Sequence, residues 1–126
     1  MELELKHLSV YLPYDVNVKI VKQIRNYKIN QIRKLNIQLF WDFSRKKENI
    51  IIPVLRPIKD VETFKYKPRY GKEITVSQIL TIENMENLLL NNIDEIPYAI
   101  INILFKYHFD VFGLISKNLA VDINCL

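Results

Sequence analysis

The chain has 126 residues, 49% hydrophobic and 25% charged, which excludes a disordered protein and suits a single domain over residues 1–126 with one core. The net charge of +4 is unevenly distributed: residues 1–72 contain 16 Lys/Arg and 7 Asp/Glu, whereas residues 73–126 contain 2 and 7. A basic half of net +9 and an acidic half of net −5 favour a polyanionic partner.

The first predicted element is a short helix within residues 3–12. Leu5, Leu8 and Leu12 recur at helical spacing. Pro13 follows, and proline ends most helices because it lacks a backbone N–H. We therefore expect this helix to end at Pro13.

Four stretches in the basic half predict strands. Residues 16–24 alternate between apolar and polar positions, and residues 27–33 repeat that pattern. Residues 35–43 also alternate, which places Trp41 in the core, and residues 50–55 form a short apolar run. Short turns between these stretches favour a small antiparallel sheet.

Residues 62–72 have no clear period. Basic and aromatic residues alternate there, Pro68 interrupts any strand pairing, and Gly71 permits a turn. This stretch is predicted to be an exposed loop or an edge strand.

The acidic half has helical signals. Thr75 or Ser77 can cap a short helix through about Leu80, and Thr81 a second helix through Leu90. Both threonines precede apolar residues at helical spacing, as capping residues do.

A third helix and a closing strand follow. Pro97 suits a first helical turn, so we expect a helix to about His108, and residues 119–123 can form a strand. This helix is expected to bury Ile100, Ile101, Leu104 and Phe105. The predicted fold class is α+β, with a small N-terminal antiparallel sheet packed against C-terminal helices.

The residues indicate no catalytic chemistry. The sequence contains no phosphate-binding glycine loop and no nucleophile–base or metal-ligand spacing, so we expect no enzyme, cofactor, metal or small-molecule substrate. His7 and His108 are distant in sequence, and His108 is interpreted as a helix-end histidine bonded to the backbone. Asp110 and Asp122 are interpreted as caps of local turns.

The cysteine content and the N-terminal residues bear on location. Cys125 is the only cysteine, which excludes an intrachain disulfide and favours a reducing compartment. The N-terminal residues have no long apolar stretch, and no window reaches 18 apolar residues. We therefore expect no secretory signal, no membrane span and a cytoplasmic protein.

Basic and aromatic residues form the most informative pattern. Lysine and arginine neutralise phosphates, and tyrosine stacks on unpaired bases. The alternatives are a basic surface that serves only solubility, or a partner that binds the acidic helices through Glu83, Glu86, Asp94 and Glu95. The predicted partner-binding residues are Lys19, Lys22, Arg25, Lys28, Arg45, Lys46, Lys47, Lys65, Tyr66, Lys67, Arg69 and Tyr70.

Three stretches carry a family resemblance. They read LKHLSVYLPY at 5–14, VLRPIKDV at 54–61 and YHFDVFGLISKNLAVDIN at 107–124. The chain resembles a family of small, largely uncharacterised proteins carried by phages and prophages of Bacteroidetes. It departs from that pattern at Asp15, where the family has glycine, and at Tyr107, where it has tryptophan.

The resemblance implies a role rather than a reaction. It offers no catalytic residues, and it implies that the matching ends are scaffold while the unmatched basic stretches carry a specialised function. The expected role is a phage accessory protein in the bacterial host cytoplasm. The sharpest version is an anti-CRISPR inhibitor that binds the guide RNA or the nuclease of an RNA-guided host effector, with an RNA-targeting Cas13-type effector as the narrowest case. The alternatives are a general nucleic-acid-binding phage protein and a virion structural or assembly factor.

Overall fold

The computed structural model describes residues 3–24, 27–44 and 50–126, with side chains described for 3–21, 30–43 and 50–126. The fold is α+β, as predicted. The helices are α1 (Leu5–Ser9), α2 (Ile37–Ser44), α3 (Ile82–Leu89) and α4 (Tyr98–Lys106). The strands are β1 (Asn17–Ile24), β2 (Tyr27–Lys34), β3 (Ile50–Leu55), β4 (Lys65–Tyr66), β5 (Ile74–Thr75) and β6 (Val121–Asp122).

The main sheet has four strands in the order β2-β1-β3-β6. β1 pairs antiparallel with β2 and with β3, which confirms the strands predicted at 16–24, 27–33 and 50–55. The predicted closing strand exists as β6 and pairs parallel with β3, so the antiparallel N-terminal strands become part of a mixed sheet. The helices between β3 and β6 supply the long connection that a parallel pair requires.

The strand predicted at 35–43 is wrong, because these residues form α2. The side chain of Asn36 accepts a hydrogen bond from the backbone N–H of Leu39 at 2.9 Å and so caps the helix. Leu35 and Leu39 are buried four positions apart, a spacing that suits a helix as well as the alternation suits a strand. Trp41 lies on the opposite face and is 52% exposed, so its predicted place in the core was also wrong.

The N-terminal helix is shorter than predicted. α1 ends at Ser9, and Pro13 lies inside a separate 3-10 turn, Leu12–Tyr14, rather than ending the α-helix. Proline fits there because the first turn of such a helix needs no N–H from it.

The caps predicted in the acidic half are confirmed. Thr75 and Gln78 form a reciprocal capping box on a 3-10 helix, Val76–Ile79. The hydroxyl of Thr81 accepts the N–H of Asn84 at 3.0 Å and caps α3. α4 begins directly after Pro97 and buries Ile101, Leu104 and Phe105, while Ile100 is half-buried.

The hydrophobic core joins the sheet to the C-terminal helices. Val18 and Ile20 of β1 and Ile51 of β3 belong to the same buried cluster as Leu88 of α3 and Leu104 of α4. Burial of this shared cluster is the main force that holds the two layers together.

The three stretches at 5–14, 54–61 and 107–124 contact one another in the structure. The buried hydroxyl of Tyr11 donates a hydrogen bond to the backbone carbonyl of Phe109. The backbone N–H of Arg56 donates to the carbonyl of His108 at 2.7 Å, and the N–H of Asp110 donates to the carbonyl of Arg56 at 2.8 Å. These stretches therefore form the structural framework of the protein.

Asp15 has a left-handed backbone, with φ of 53° and ψ of 40°. Glycine adopts this conformation without steric cost, whereas other residues do not. Asp15 therefore occupies a position where the backbone favours glycine.

Candidate functional site

The basic residues of the middle segment project from a small hairpin. β4 and β5 pair antiparallel, with Lys65 opposite Thr75 and Tyr66 opposite Ile74. We call residues 65–75 the basic hairpin. Its exposed cations are Lys65, Lys67, Arg69 and Lys72, and no acidic residue lies between Lys65 and Lys72.

Tyr66 anchors this hairpin and is only 9% exposed, so its predicted role as a stacking ring is wrong. Successive side chains of a strand point to opposite faces, so exposed Lys65 and Lys67 require Tyr66 to point inward. Its ring centroid lies 5.3 Å from that of Tyr107. Burial, and secondarily Tyr107, raise the pKa of Tyr66, which keeps its hydroxyl neutral.

The tip of the hairpin presents an accessible aromatic ring. Tyr70 is 82% exposed, and the guanidinium carbon of Arg69 lies 5.6 Å from the centroid of its ring. Gly71 follows with φ of 109°, a conformation that permits the turn and that other residues rarely adopt. Arg69 and Tyr70 therefore lie side by side at the tip, and each has a planar group that can stack on a base.

The cations of the hairpin are not neutralised by the rest of the described structure. Among residues 3–21, 30–43 and 50–126, the one ion pair within 4.0 Å joins Lys6 to Glu4, at 3.3 Å. The positive charges of Lys65, Lys67, Arg69 and Lys72 therefore remain available to an external anion.

Two further cations, missed by the sequence analysis, flank the base of the hairpin. The guanidinium carbon of Arg56 lies 4.2 Å from the ring centroid of Phe64, and the ammonium of Lys106 lies 5.5 Å from that of Tyr107. The rings of Phe64 and Tyr107 are themselves 5.2 Å apart. Burial lowers the pKa of Arg56, but a guanidinium stays charged in proteins.

No pattern in the sequence links Arg56 or Lys106 to the hairpin. Each is an isolated cation beside apolar residues, and only the packing of the aromatic rings brings them to it. The sequence contains one weak signal for Arg56. Arginine is rarely buried unless it has a specific partner, so an arginine among apolar residues indicates such a partner.

Three of the predicted site residues of the N-terminal half, Lys19, Lys22 and Lys28, lie in the four-stranded sheet. Lys19 lies in β1 opposite Ile32 and Ile52, so these three side chains share the outer face of the four-stranded sheet. The backbones of Lys22 and Lys28 lie in β1 and β2, but their side chains are outside the described part. The described residues do not include Arg25, Arg45, Lys46 or Lys47. Of the predicted set, the basic hairpin alone is thus described as a unit.

The histidine–aspartate sequence at 108–110 serves the backbone. Nε2 of His108 lies 2.6 Å from the carbonyl oxygen of Tyr14, which confirms the predicted backbone bond. The Asp110 carboxylate accepts the N–H groups of Leu114 at 2.7 Å and Ile115 at 2.9 Å. Burial raises the pKa of Asp110, while these two hydrogen bonds oppose the shift. The predicted turn-capping roles of Asp110 and Asp122 are both confirmed, since Asp122 accepts the N–H of Asn124.

Metal-binding clusters and membrane-spanning helices are both absent from the described residues. They contain no group of three or more His, Cys, Asp or Glu placed to hold a metal ion. In the same residues, no helix has the length and apolar content needed to cross a membrane.

No family model, curated protein or solved structure matches this chain. The basic hairpin with Arg56 and Lys106 at its base is the candidate functional site.

Proposed function

We propose that the protein is a non-enzymatic binding protein whose basic hairpin binds single-stranded RNA, free or within a ribonucleoprotein. One observation carries the proposal. Unpaired cations at Lys65, Lys67, Arg69 and Lys72 share one hairpin with exposed Tyr70, and buried Tyr66 anchors that hairpin. Cations neutralise successive phosphates, while an exposed ring stacks on an unpaired base.

The geometry favours this role over a surface that serves only solubility. Solubility needs dispersed charges of both signs and no particular orientation. Here the cations of one sign are concentrated on a hairpin fixed by the Tyr66–Tyr107 contact. Arg56, at the base of the hairpin, is partly buried against Phe64. Its guanidinium therefore loses hydration free energy, whereas a charge that serves only solubility would remain fully hydrated.

The biological setting follows from the family resemblance and rests on it alone. We propose a phage accessory protein that inhibits a host RNA-guided nuclease of the RNA-targeting type by occupying guide or target RNA. A general nucleic-acid-binding phage protein is the alternative. The two differ in a reconstituted cleavage assay, because the inhibitor blocks the nuclease at stoichiometric amounts and the general binder requires saturation of all RNA.

The test of RNA binding reverses three charges of the hairpin. The variant Lys65→Glu/Lys67→Glu/Arg69→Glu is compared with wild type by fluorescence anisotropy on a labelled single-stranded RNA of mixed sequence at several salt concentrations. Each phosphate contact contributes about 0.7 to the slope of log affinity against log salt, so loss of three contacts should lower the slope by about 2.

A matched control carries the same charge change elsewhere. Arg33→Glu/Lys34→Glu/Lys117→Glu reverses three exposed cations that lie outside the basic hairpin. If both triple variants lose equal affinity, general electrostatic attraction explains the binding and the hairpin has no special role. Unchanged circular dichroism must accompany either result, because exposed charges contribute little to folding.

A second variant tests the stacking ring. Tyr70→Ala should weaken RNA binding by about 1–3 kcal/mol, since base–aromatic stacking contributes this much per base. Tyr70→Phe keeps the ring and should retain affinity. Equal affinities for Ala and Phe variants would show that Tyr70 stacks on no base.

A further inference from the structure

The outward face of α3 is unusual for a surface helix. Buried Asn84 and Leu88, with half-buried Met85, fix the inner face of α3 on the core. The outer face of such a helix is normally polar. In α3, however, Ile82 is 82% exposed and Leu89 is 73% exposed.

These outward residues form one continuous stripe. Residues four and seven positions apart lie above one another on a helix, so Ile82, Glu86 and Leu89 share one line. Glu83 and Leu90 lie beside that line, and Leu90 is 68% exposed. We call these five residues the α3 face. Exposed apolar side chains that are bordered by charged residues often mark interaction sites.

The α3 face itself has two charged residues, Glu83 and Glu86, and both are acidic. The cations Lys6 and Lys117 line a cavity with Asp94 beyond the end of α3. Residues 73–105 contain no lysine or arginine. Their acidic residues are all exposed, and they are Glu73, Glu83, Glu86, Asp94 and Glu95. An occupant that covers the leucines must therefore bring its own positive charge, or these carboxylates would be desolvated without a partner.

We infer that the α3 face docks a partner protein through an apolar helix or segment flanked by lysine and arginine. The leucines and Ile82 bury the apolar side chains of the partner, and Glu83 and Glu86 pair with its cations. The α3 face shares no residue with the basic hairpin. The acidic surroundings exclude nucleic acid from this face because its phosphates would be repelled.

A second copy of the chain is the less favourable occupant. The basic hairpin would supply positive charge, but its exposed apolar side chain is Tyr70 alone, which leaves most of the stripe uncovered.

The test uses two synthetic peptides of identical composition. One places leucines four and seven positions apart on a helix with lysines on both sides, and the other has the same residues in scrambled order. Fluorescence anisotropy with the labelled peptides measures affinity for the full-length protein. We expect the amphipathic peptide to bind at least about tenfold more tightly than the scrambled one.

Two variants of the protein separate the apolar and electrostatic contributions. Leu89→Ser/Leu90→Ser should remove the preference for the amphipathic peptide, and Glu83→Gln/Glu86→Gln should weaken binding and reduce its salt dependence. All four positions are exposed, so both variants should keep the thermal unfolding temperature. The RNA affinity of both should also be unchanged, which distinguishes this surface from the basic hairpin.

Three outcomes overturn the inference. Equal binding of the two peptides, or a preference that survives Leu89→Ser/Leu90→Ser, shows that the α3 face recognises no amphipathic segment. Sedimentation that shows a dimer dissociated by the same double variant assigns the face to a second copy instead.

Discussion

Replacing Asp110 removes the carboxylate that organises the turn after α4. Asp110 is 5% exposed, and both of its oxygens accept backbone N–H groups, from Leu114 and Ile115. Hydrogen bonds to charged groups contribute roughly 1.5–3 kcal/mol each. Desolvation of the carboxylate, which raises the pKa of Asp110, offsets part of this gain. We therefore expect Asp110→Ala to lower the free energy of unfolding by about 2–4 kcal/mol.

Asp110→Asn is the matched control. The amide oxygen can still accept one N–H, whereas its NH₂ group cannot, so the expected loss is about half, roughly 1–2 kcal/mol. Urea denaturation followed by circular dichroism measures both losses, provided that the denaturant slope is the same as in wild type. Equal stability of the wild type and the Ala variant would refute the capping role.

The same residue predicts a pH dependence. The pKa of Asp110 is raised in the folded protein, so the folded state takes up its proton before the unfolded state does. Stability contributed by this residue should rise as the pH falls through the raised pKa and level off below the ordinary value of 3.8. Relative to Asp110→Asn, wild type should gain stability on acidification. A relative loss would contradict burial as the dominant cause of the shift.

Two further predictions concern single positions. Trp41 is the only tryptophan and is 52% exposed, so acrylamide should quench its fluorescence in the folded protein nearly as well as in urea, and a strongly shielded indole would place it in the core. Asp15→Gly should raise the free energy of unfolding by about 0.5 kcal/mol, because relief of the left-handed backbone exceeds the added chain entropy of glycine. A loss of stability in urea denaturation would mean that the Asp15 side chain compensates for its backbone.

Alternation alone did not decide between a strand and a helix. Residues 17–24 form β1 although Val16, Ile20 and Ile24 also lie four positions apart. Residues 35–43 satisfy both periods, because Leu35 and Leu39 lie four apart within the alternation. The deciding signal was Asn36, a capping residue directly before the helix, whose hydrogen bond to Leu39 excludes the strand.

The sequence predicted which types of residue form the candidate site, but it did not predict how they are arranged in space. The cations of 65–72 could be found from their concentration, yet Tyr66 was assigned to the surface although strand alternation places it opposite exposed Lys65 and Lys67. Arg56 and Lys106 could not be found, because their proximity to the hairpin depends on aromatic packing between distant segments. Contacts of that kind leave no periodic trace in a single sequence.

The bonds between the two ends of the chain also constrain the order of folding during synthesis. The hydrogen bond between Tyr11 and Phe109 joins residues 98 positions apart in the sequence, and the one between Tyr14 and His108 joins residues 94 positions apart. During synthesis, Leu8 and Tyr11 of the N-terminal segment therefore stay exposed to solvent until the residues around Phe109 have left the ribosome. Closing so long a loop costs entropy before its contacts form, which slows folding and prolongs exposure to aggregation. The acidic segment 73–105 is synthesised between the two ends. Its negative charge attracts the basic half before the last strand, β6, has been synthesised.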